Sequence, residues 1–121
     1  MRDACHVIAY DVGTTGAKAC LYRFHDPSRP AELLASAASE YRLRLLPGGG
    51  AEQDPGDWWS GLCAATRTIL GSRGVPPAAV QGIAFCCQMQ GLVLVDADGT
   101  PVRPAMTYMD QRPHRRRRRA G

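Results

Sequence analysis

The sequence predicts an α/β fold in which three mostly antiparallel strands precede one helix and further strands follow it. Two observations carry this prediction: short apolar segments with strand periodicity on both sides of the chain's middle, and a helix-opening signal at Asp54-Pro55. The chain has 121 residues, of which 45% are hydrophobic and 21% are charged. This composition is typical of a globular domain and argues against wholesale disorder.

Two apolar segments near the start of the chain predict a β-hairpin. They span residues 6–10 and 17–24 and flank a cluster of glycine and threonine. An alternation of apolar residues with arginines predicts a half-buried third strand within residues 33–46, and residues 47–50 predict a turn. The alternating residues are Tyr41, Leu43 and Leu45 against Arg42 and Arg44.

A helix is predicted to begin at Asp54-Pro55. Asp54 can accept hydrogen bonds from free backbone amides, and a proline suits the first helical position. Apolar residues then follow at helical spacing and predict one buried face. These residues are Trp58, Leu62, Ala65 and Ile69. The helix is expected to end at Gly71 or Gly74, because glycine readily adopts the left-handed conformation of a C-cap.

Further strands are predicted after the helix. Residues 80–87 indicate a buried strand, and Asp98-Gly99 indicates a hairpin turn between residues 91–96 and 100–103. Residues 105–109 indicate a last strand. The predicted order is therefore three strands, the helix, and then these further strands.

Charge and cysteine content narrow the functional classes. Five of the fifteen basic residues form the run 115–119, so the net charge of +4 belongs to the tail and does not by itself indicate a nucleic-acid-binding domain. The five cysteines form no CxxC pair, which favours reduced thiols. No signal peptide or apolar run of membrane-spanning length is present, so we expect a cytoplasmic protein without a membrane partner.

The octet DVGTTGAK at residues 11–18 lies between the first two predicted strands and suits the phosphate tail of a nucleotide. An acidic residue at a strand end can hold Mg²⁺ through water, glycines let the backbone approach an anion, and amides and hydroxyls can donate to phosphate oxygens. The candidate residues are Asp11, Gly13, Thr14, Thr15 and Lys18. The octet fits neither a P-loop nor GxGxxG, and a plain hairpin turn is the alternative interpretation.

The octet resembles the D-x-G-T-[ST]-x-x-[KR] phosphate motif of the superfamily that contains sugar kinases, hexokinase, Hsp70 and actin. This resemblance implies a ribonuclease-H-like ATPase domain of the actin/hexokinase/Hsp70 type, with the octet in its first β-hairpin. It also implies ATP and Mg²⁺ as cofactors. Asp11 would be associated with the metal through water, and the turn would face the phosphates.

Three further strings narrow the resemblance. QDPGDWW at residues 53–59 resembles Q-[DN]-P-x-x-W-W, QMQGLVLVD at 88–96 resembles Q-M-H-G-x-x-x-x-D, and PAMTYMDQR at 104–112 resembles R-P-A-I-x-W-x-D-x-R. All four strings occur in the order and spacing found in FGGY carbohydrate kinases, and they cover about residues 6–112. The resemblance, which is xylulokinase-like, implies ATP-dependent phosphorylation of a sugar or polyol hydroxyl.

The same resemblance assigns a substrate side to the chain. A polyol needs fixed polar partners and an apolar or aromatic wall. The candidate substrate-binding residues are Met89, Gln90, Tyr108 and Asp110. Gln90 stands where xylulokinases carry histidine and Tyr108 stands where tryptophan is common, which leaves the particular sugar open. Asp110 and Arg112 could equally pair with each other, and Trp58 and Trp59 could serve the helix and the core alone.

The resemblance also indicates what lies outside this chain. In FGGY kinases the catalytic base is an aspartate further along the first domain, and the adenosine pocket lies mainly in a second domain. We therefore assign no catalytic residue, expect residues 1–112 to be the N-terminal part of a first domain, and expect no kinase activity from this chain alone. Apolar surfaces at 80–87 and 92–95 should then be partly exposed.

The arginine-rich tail at residues 113–121 departs from the family pattern. It is interpreted as a disordered segment that arises from truncation or a frameshift. The alternative function is a non-catalytic phosphate-binding module whose basic arm contacts nucleic acid nonspecifically. A nucleotide-driven scaffold like actin or a chaperone fits less well, because the chain carries substrate-side strings. The full-length parent could be a homo-oligomer.

Overall fold

The computed structural model describes residues 4–112, and the predicted tail at 113–121 lies outside this range. In chain order the elements are β1 (Cys5–Val12), β2 (Gly16–Phe24), β3 (Glu32–Glu40), β4 (Arg44–Leu46), β5 (Gly50–Gln53), α1 (Pro55–Arg73), β6 (Val80–Cys87) and β7 (Ala105–Met106), with a 3-10 turn over Pro77–Ala79. They form a four-stranded sheet, a small three-stranded sheet and one long helix.

The four-stranded sheet has the order β3-β2-β1-β6. The first three strands are antiparallel neighbours, as predicted, whereas β6 runs parallel to β1 after the crossover through α1. Strands β2 and β3 approach so closely that a Cβ atom on Gly16 would lie 2.7 Å from the carbonyl oxygen of Ser39. This glycine therefore allows the two strands to pair at the start of β2.

Helix α1 begins and ends as the local sequence predicts. The carboxylate of Asp54 accepts a hydrogen bond from the amide of Gly56 at 2.8 Å, and Pro55 occupies the first turn. Gly74 forms the C-cap with a φ of +61°, so Gly74 and not Gly71 ends the helix.

The main core lies between α1 and the helix-facing side of β1 and β2. Buried aliphatic side chains from the three elements form one cluster: Ile8, Ala19, Leu21, Ala65 and Ile69. The phenol of Tyr10 and the hydroxyl of Thr66 are hydrogen-bonded at 2.7 Å and connect β1 to the helix. The helix therefore covers β1, β2 and β3, and leaves β6 at the open edge.

The third strand differs from its prediction. Strand β3 ends at Glu40, and residues 44–46 pair with β5 in the three-stranded sheet β4-β5-β7. The alternating residue Leu45 is 69% exposed, so its apolar character does not mark a buried face. The chain leaves the large sheet at Tyr41 because both the phenol and the backbone amide of this residue bond to the β1–β2 turn.

The remaining predictions after residue 46 are correct in part. Strand β5 follows the turn predicted at residues 47–50 and was not itself predicted. Strand β7 covers only Ala105–Met106, and residues 91–103 form isolated bridges around the predicted Asp98-Gly99 turn. Strand β6 has the predicted bounds, but its predicted burial is wrong, because Ile83 and Phe85 are 61% and 55% exposed. This exposure, together with that of residues 92–95, agrees with the expectation of partly uncovered apolar surface. No helix within residues 4–112 is long and apolar enough to cross a membrane.

Candidate functional site

Residues 13–15 connect β1 to β2 and are called the phosphate turn here. The amide of Gly13 donates to the carbonyl oxygen of Gly16 at 3.0 Å, which closes the turn. Within the described part of the chain, the amides of Thr14 and Thr15 have no acceptor. These two amides and the threonine hydroxyls are donors, as a phosphate group requires.

The carbonyl oxygens of the phosphate turn all face protein donors. Tyr41 donates from its phenol to Gly13 and from its amide to Thr15, the latter at 3.2 Å. The side-chain amide of Gln53 donates to the carbonyl of Thr14 at 2.5 Å. Burial, with the nearby Asp11 charge, raises the pKa of the Tyr41 phenol, so the phenol keeps the proton that it donates. The carbonyl acceptors of the turn are therefore engaged by protein donors, and the amides of Thr14 and Thr15 remain open.

Asp11 lies at the end of β1, directly opposite Lys18 in the β1–β2 ladder. Directly opposed residues project from the same face of a sheet, so the acid and the cation share the face away from α1. Both are exposed, and Asp11 forms no ion pair with another described residue. One free carboxylate fits Mg²⁺, which binds one or two carboxylates together with water and phosphate oxygens.

No cluster of three or more metal-binding side chains occurs among residues 4–112. The donor set is therefore unlike that of a closed structural metal site, which needs about four protein ligands. It suits a cation that arrives with a phosphate ligand.

The segment after β6 begins beside the end of β1, because the amide of Gln88 donates to the carbonyl of Val12 at 2.8 Å. Gln90 follows with a φ of +62°, the only positive φ of a non-glycine residue within the described range. Such a conformation is costly for a residue with a Cβ atom, and residues that adopt it occur in turns and cluster at functional sites. Gln90 lines a cleft of about 250 Å³ together with Val12, Trp58, Cys87 and Thr107.

Tyr108 connects the segment after β7 to the turn at residues 13–15. Its phenolic oxygen lies 3.5 Å from the hydroxyl oxygen of Thr14, and half of its surface is exposed. Met89 is 78% exposed and does not line the cleft beside Gln90. The structure therefore brings Thr14, Tyr108 and the Gln90 cleft to the same end of the large sheet, with Met89 at its open margin.

Asp110 lies apart from this open region. Its side chain is only 3% exposed, and its carboxylate accepts from the amide of Ala51 at 3.0 Å and from the guanidinium of Arg112. Arg112 and Arg103 also bind Glu52, whose side chain is 9% exposed. The Arg112 bonds hold the pKa of Asp110 well below its usual range. Asp110 thus pairs with Arg112, which was the alternative to a role of Asp110 in substrate binding.

Sequence reasoning missed two residues that shape the site. Tyr41 was interpreted only as part of a strand, and no local signal marks it as a partner of the phosphate turn. Gln53 stood in a string that resembles a helix start, but its buried side chain, 1% exposed, reaches Thr14, which is 39 residues earlier.

This geometry places a turn with open donors, a free carboxylate and the cleft beside Gln90 at one end of the four-stranded sheet. Residues 6–118 match the model of the N-terminal domain of the FGGY family of carbohydrate kinases, and the chain belongs to this family. The predicted family is thus confirmed.

The chain is similar in sequence to proteins that carry the names of sugar and polyol kinases. The chain is 43% identical over 106 residues to the xylulose kinase of Streptomyces rubiginosus, covering 88% of this chain and 20% of that protein. It is 30% identical over 108 residues to the glycerol kinase of Nitrobacter hamburgensis, with the same coverage of both chains. It therefore spans about a fifth of the length of these relatives.

Solved structures share the fold. The crystal structure of a xyloylose kinase from Brucella ovis superposes with a TM-score of 0.79 at 27% identity. The matched region covers 93% of this chain and 22% of the Brucella chain. The xylulose kinase from Rhodospirillum rubrum has a TM-score of 0.77 at 28% identity, with 95% and 23% covered. The predicted α/β fold of the actin/hexokinase type is confirmed.

Proposed function

We propose that this chain supplies the phosphate-binding turn and part of the substrate wall of an ATP-dependent kinase that phosphorylates a hydroxyl of a sugar or polyol. The observation that carries the proposal is the 3.5 Å separation between the hydroxyl oxygens of Thr14 and Tyr108. A residue of the proposed phosphate side and a residue of the proposed substrate side, 94 positions apart, meet at one point. Phosphoryl transfer requires such proximity between the phosphate and the accepting hydroxyl.

On the phosphate side, we assign the binding of phosphate oxygens to the amides and hydroxyls of Thr14 and Thr15, with Gly13 opening the turn. Asp11 would hold Mg²⁺ through water, and Lys18 would add positive charge on the same face. The cation neutralises negative charge on the phosphates. The inward-facing carbonyls of the turn support this assignment, because they leave only donors toward the anion.

On the substrate side, we assign Gln90 and Tyr108 to polar and aromatic contacts with the polyol, and Met89 to the margin of the wall. A glutamine amide both donates and accepts, which suits a row of hydroxyl groups. The positive φ of Gln90 supports a functional role. Asp110 would contribute by holding the segment that carries Tyr108, because its carboxylate is occupied by Arg112 and Ala51.

We also infer that the 121-residue chain binds without turnover. Catalysis of phosphoryl transfer depends on positioning, electrostatic stabilisation and a base at the accepting hydroxyl. Asp11 is assigned to the metal, and Asp110 is engaged by Arg112. ADP release with Mg²⁺–ATP and a panel of ketoses and polyols, above background and dependent on both a sugar and Asp11, would contradict this inference.

The binding assignment is tested by titrating the isotopically labelled chain with Mg²⁺–ATP and following backbone amides by NMR. We expect the largest shifts at Thr14 and Thr15, and a loss of affinity of about tenfold or more in Asp11→Ala, because the carboxylate no longer holds the cation. The matched control is Asp98→Ala, which removes an exposed carboxylate from the remote turn at residues 96–99. Equal affinities of the two variants would remove Asp11 from the site.

A further inference from the structure

Gln53 is the most buried polar side chain near the phosphate turn. It is the last residue of β5, is 1% exposed and directly precedes the N-cap of α1. A buried side-chain amide is costly unless its donors and acceptors are paired. Its contacts therefore show what the position is built to hold.

Three elements meet at the Gln53 amide. Its Nε2 donates to the carbonyl of Thr14 at 2.5 Å, and its Oε1 accepts from Trp58 Nε1 at 3.1 Å and from Gln88 Nε2 at 2.9 Å. Thr14 belongs to the phosphate turn, Trp58 to the first turn of α1, and Gln88 to the segment that leads into Gln90. One side chain thus joins the proposed phosphate side to the proposed substrate side.

The chemistry of the neighbours fixes the orientation of this amide. An indole N–H can only donate and a backbone carbonyl can only accept, so Gln53 must turn its oxygen toward Trp58 and its nitrogen toward Thr14. Gln88 must then present its own nitrogen to the Gln53 oxygen. The Oε1 atom of Gln88 is enclosed and has no hydrogen-bond partner among the described residues. Among residues 4–112, Gln53 is therefore the one hydrogen-bond partner of the Gln88 side chain.

We infer that Gln53 is a positioning residue that sets the phosphate turn and couples it to the segment carrying Gln90. This inference rests on the proposed function for the roles of the two sides. The donor of Gln53 orients the Thr14 carbonyl inward, which turns the Thr15 amide of the same planar peptide outward. The acceptor oxygen of Gln53 binds the Gln88 side chain. The phosphate turn and the segment that carries Gln90 therefore restrict each other's movement.

Gln53→Glu tests the donor selectively. Glutamate keeps an acceptor for Trp58 and Gln88, but when ionised it has no hydrogen for the Thr14 carbonyl, and when protonated it has one. We expect the affinity of the full 121-residue chain for Mg²⁺–ATP, relative to wild type at the same pH, to fall about tenfold at pH 7.5. The difference in affinity between Gln53→Glu and wild type should become smaller toward pH 5. Burial raises the pKa of the introduced carboxyl, so more of it is protonated and able to donate at that pH.

Two further variants separate positioning from packing. Gln53→Leu fills the same space without any polar group, so its affinity for Mg²⁺–ATP should be low at both pH values. Tyr10→Phe removes a part-buried hydrogen bond to Thr66 of α1 and leaves the Thr14 bond, so the affinity of this variant for Mg²⁺–ATP should stay near that of wild type. The inference is overturned if Gln53→Glu binds Mg²⁺–ATP like wild type at pH 7.5, if its loss of affinity is as large at pH 5, or if Tyr10→Phe binds as weakly as Gln53→Leu.

A measurement without ligand distinguishes failure of this inference from failure of the proposed function. Hydrogen exchange of the Gly13 and Tyr41 amides reports the closed turn, since they donate to Gly16 and Thr15. At pH 7.5, Gln53→Glu should exchange both amides at least about tenfold faster than wild type while amides within α1 keep their protection. If wild type does not bind Mg²⁺–ATP, the phosphate assignment fails, and this exchange pattern still decides the role of Gln53. Unchanged exchange, or an equal loss throughout α1, overturns it.

Discussion

Strands β2 and β6 flank β1 in the same sheet and carry comparable apolar side chains, yet their environments are opposite. Leu21 of β2 is fully buried, whereas Ile83 of β6 is 61% exposed. The difference arises because α1 packs mainly against β2 and β3 and leaves Ile83 and Phe85 of β6 largely uncovered. An apolar strand pattern therefore predicts a strand, but its burial depends on which other elements pack against it.

The same contrast applies to charged groups. Arg23 and Arg112 each have side chains that are 35% exposed, but Arg23 pairs with Glu32, which is 51% exposed, and Arg112 pairs with the almost fully buried Asp110. Two arginines of equal exposure thus pair with carboxylates of very different burial. Covered and uncovered pairs should respond differently to the same substitution.

The largest expected effect comes from truncating one isoleucine on each side of this contrast. Ile69→Ala removes a fully buried side chain of α1 that covers β2 and should lower the free energy of unfolding by about 2–5 kcal/mol. Ile83→Ala makes the same chemical change on exposed β6 and should cost no more than about 0.5 kcal/mol. Urea unfolding followed by circular dichroism measures both. Similar losses would mean that β6 is covered in solution.

A smaller effect is expected from the matched arginine pair. Arg112→Met leaves the buried carboxylates of Asp110 and Glu52 with fewer donors and should lower the unfolding midpoint clearly, whereas Arg23→Met should leave it almost unchanged. The variants also differ in their pH dependence. Arg112 bonds lower the pKa of Asp110 and of Glu52 in the folded chain, so these carboxylates stabilise the fold above the unfolded pKa of about 4.

That stabilisation should be lost as pH falls from about 5 through the lowered folded pKa values. Wild type and Arg23→Met should therefore show a steep fall in stability with acid, and Arg112→Met a shallower one. Unfolding midpoints between pH 3 and pH 7 provide the measurement. Parallel pH profiles for all three proteins would show that the buried cluster does not govern acid stability.

Ile83→Lys should have the smallest effect on stability but a measurable effect on self-association. Strand β6 is an eight-residue edge strand without a charged residue, and its exposed apolar face favours self-association. A lysine there should raise the monomer fraction in sedimentation velocity while the unfolding midpoint stays near that of wild type. Leu45→Lys is the control, because Leu45 is equally exposed but lies on the other sheet. An identical gain for both variants would assign the effect to net charge.

Local signals predicted the helix and the first hairpin well. The Asp54 cap, Pro55 and Gly74 act within a few residues of the helix ends, so their effect is visible in a short stretch of sequence. The third strand was misjudged because Tyr41 leaves the sheet to bond with a turn that lies 28 residues earlier. Such a contact has no signature in the local alternation of residues.

The candidate site divides in the same way. The octet indicated Asp11, Thr14 and the turn, since spacing within eight residues is preserved in a hairpin. The inward pairing of Asp110 and the roles of Tyr41 and Gln53 depend on contacts between distant segments. The binding assignments themselves stay predictions until the variants above are measured.

The sequence by itself determined the family, the helix with its caps, and the strand–turn–strand that carries the phosphate octet, because each depends on residues close together in the chain. Only the tertiary structure decided that β6 stays open, that Asp110 is enclosed by Arg112, and that Gln53 reaches Thr14 and Gln88 at once. The physical reason is that burial and hydrogen-bond pairing depend on which distant segments meet. A side chain's type limits the bonds it can form, and the packed neighbours select among them.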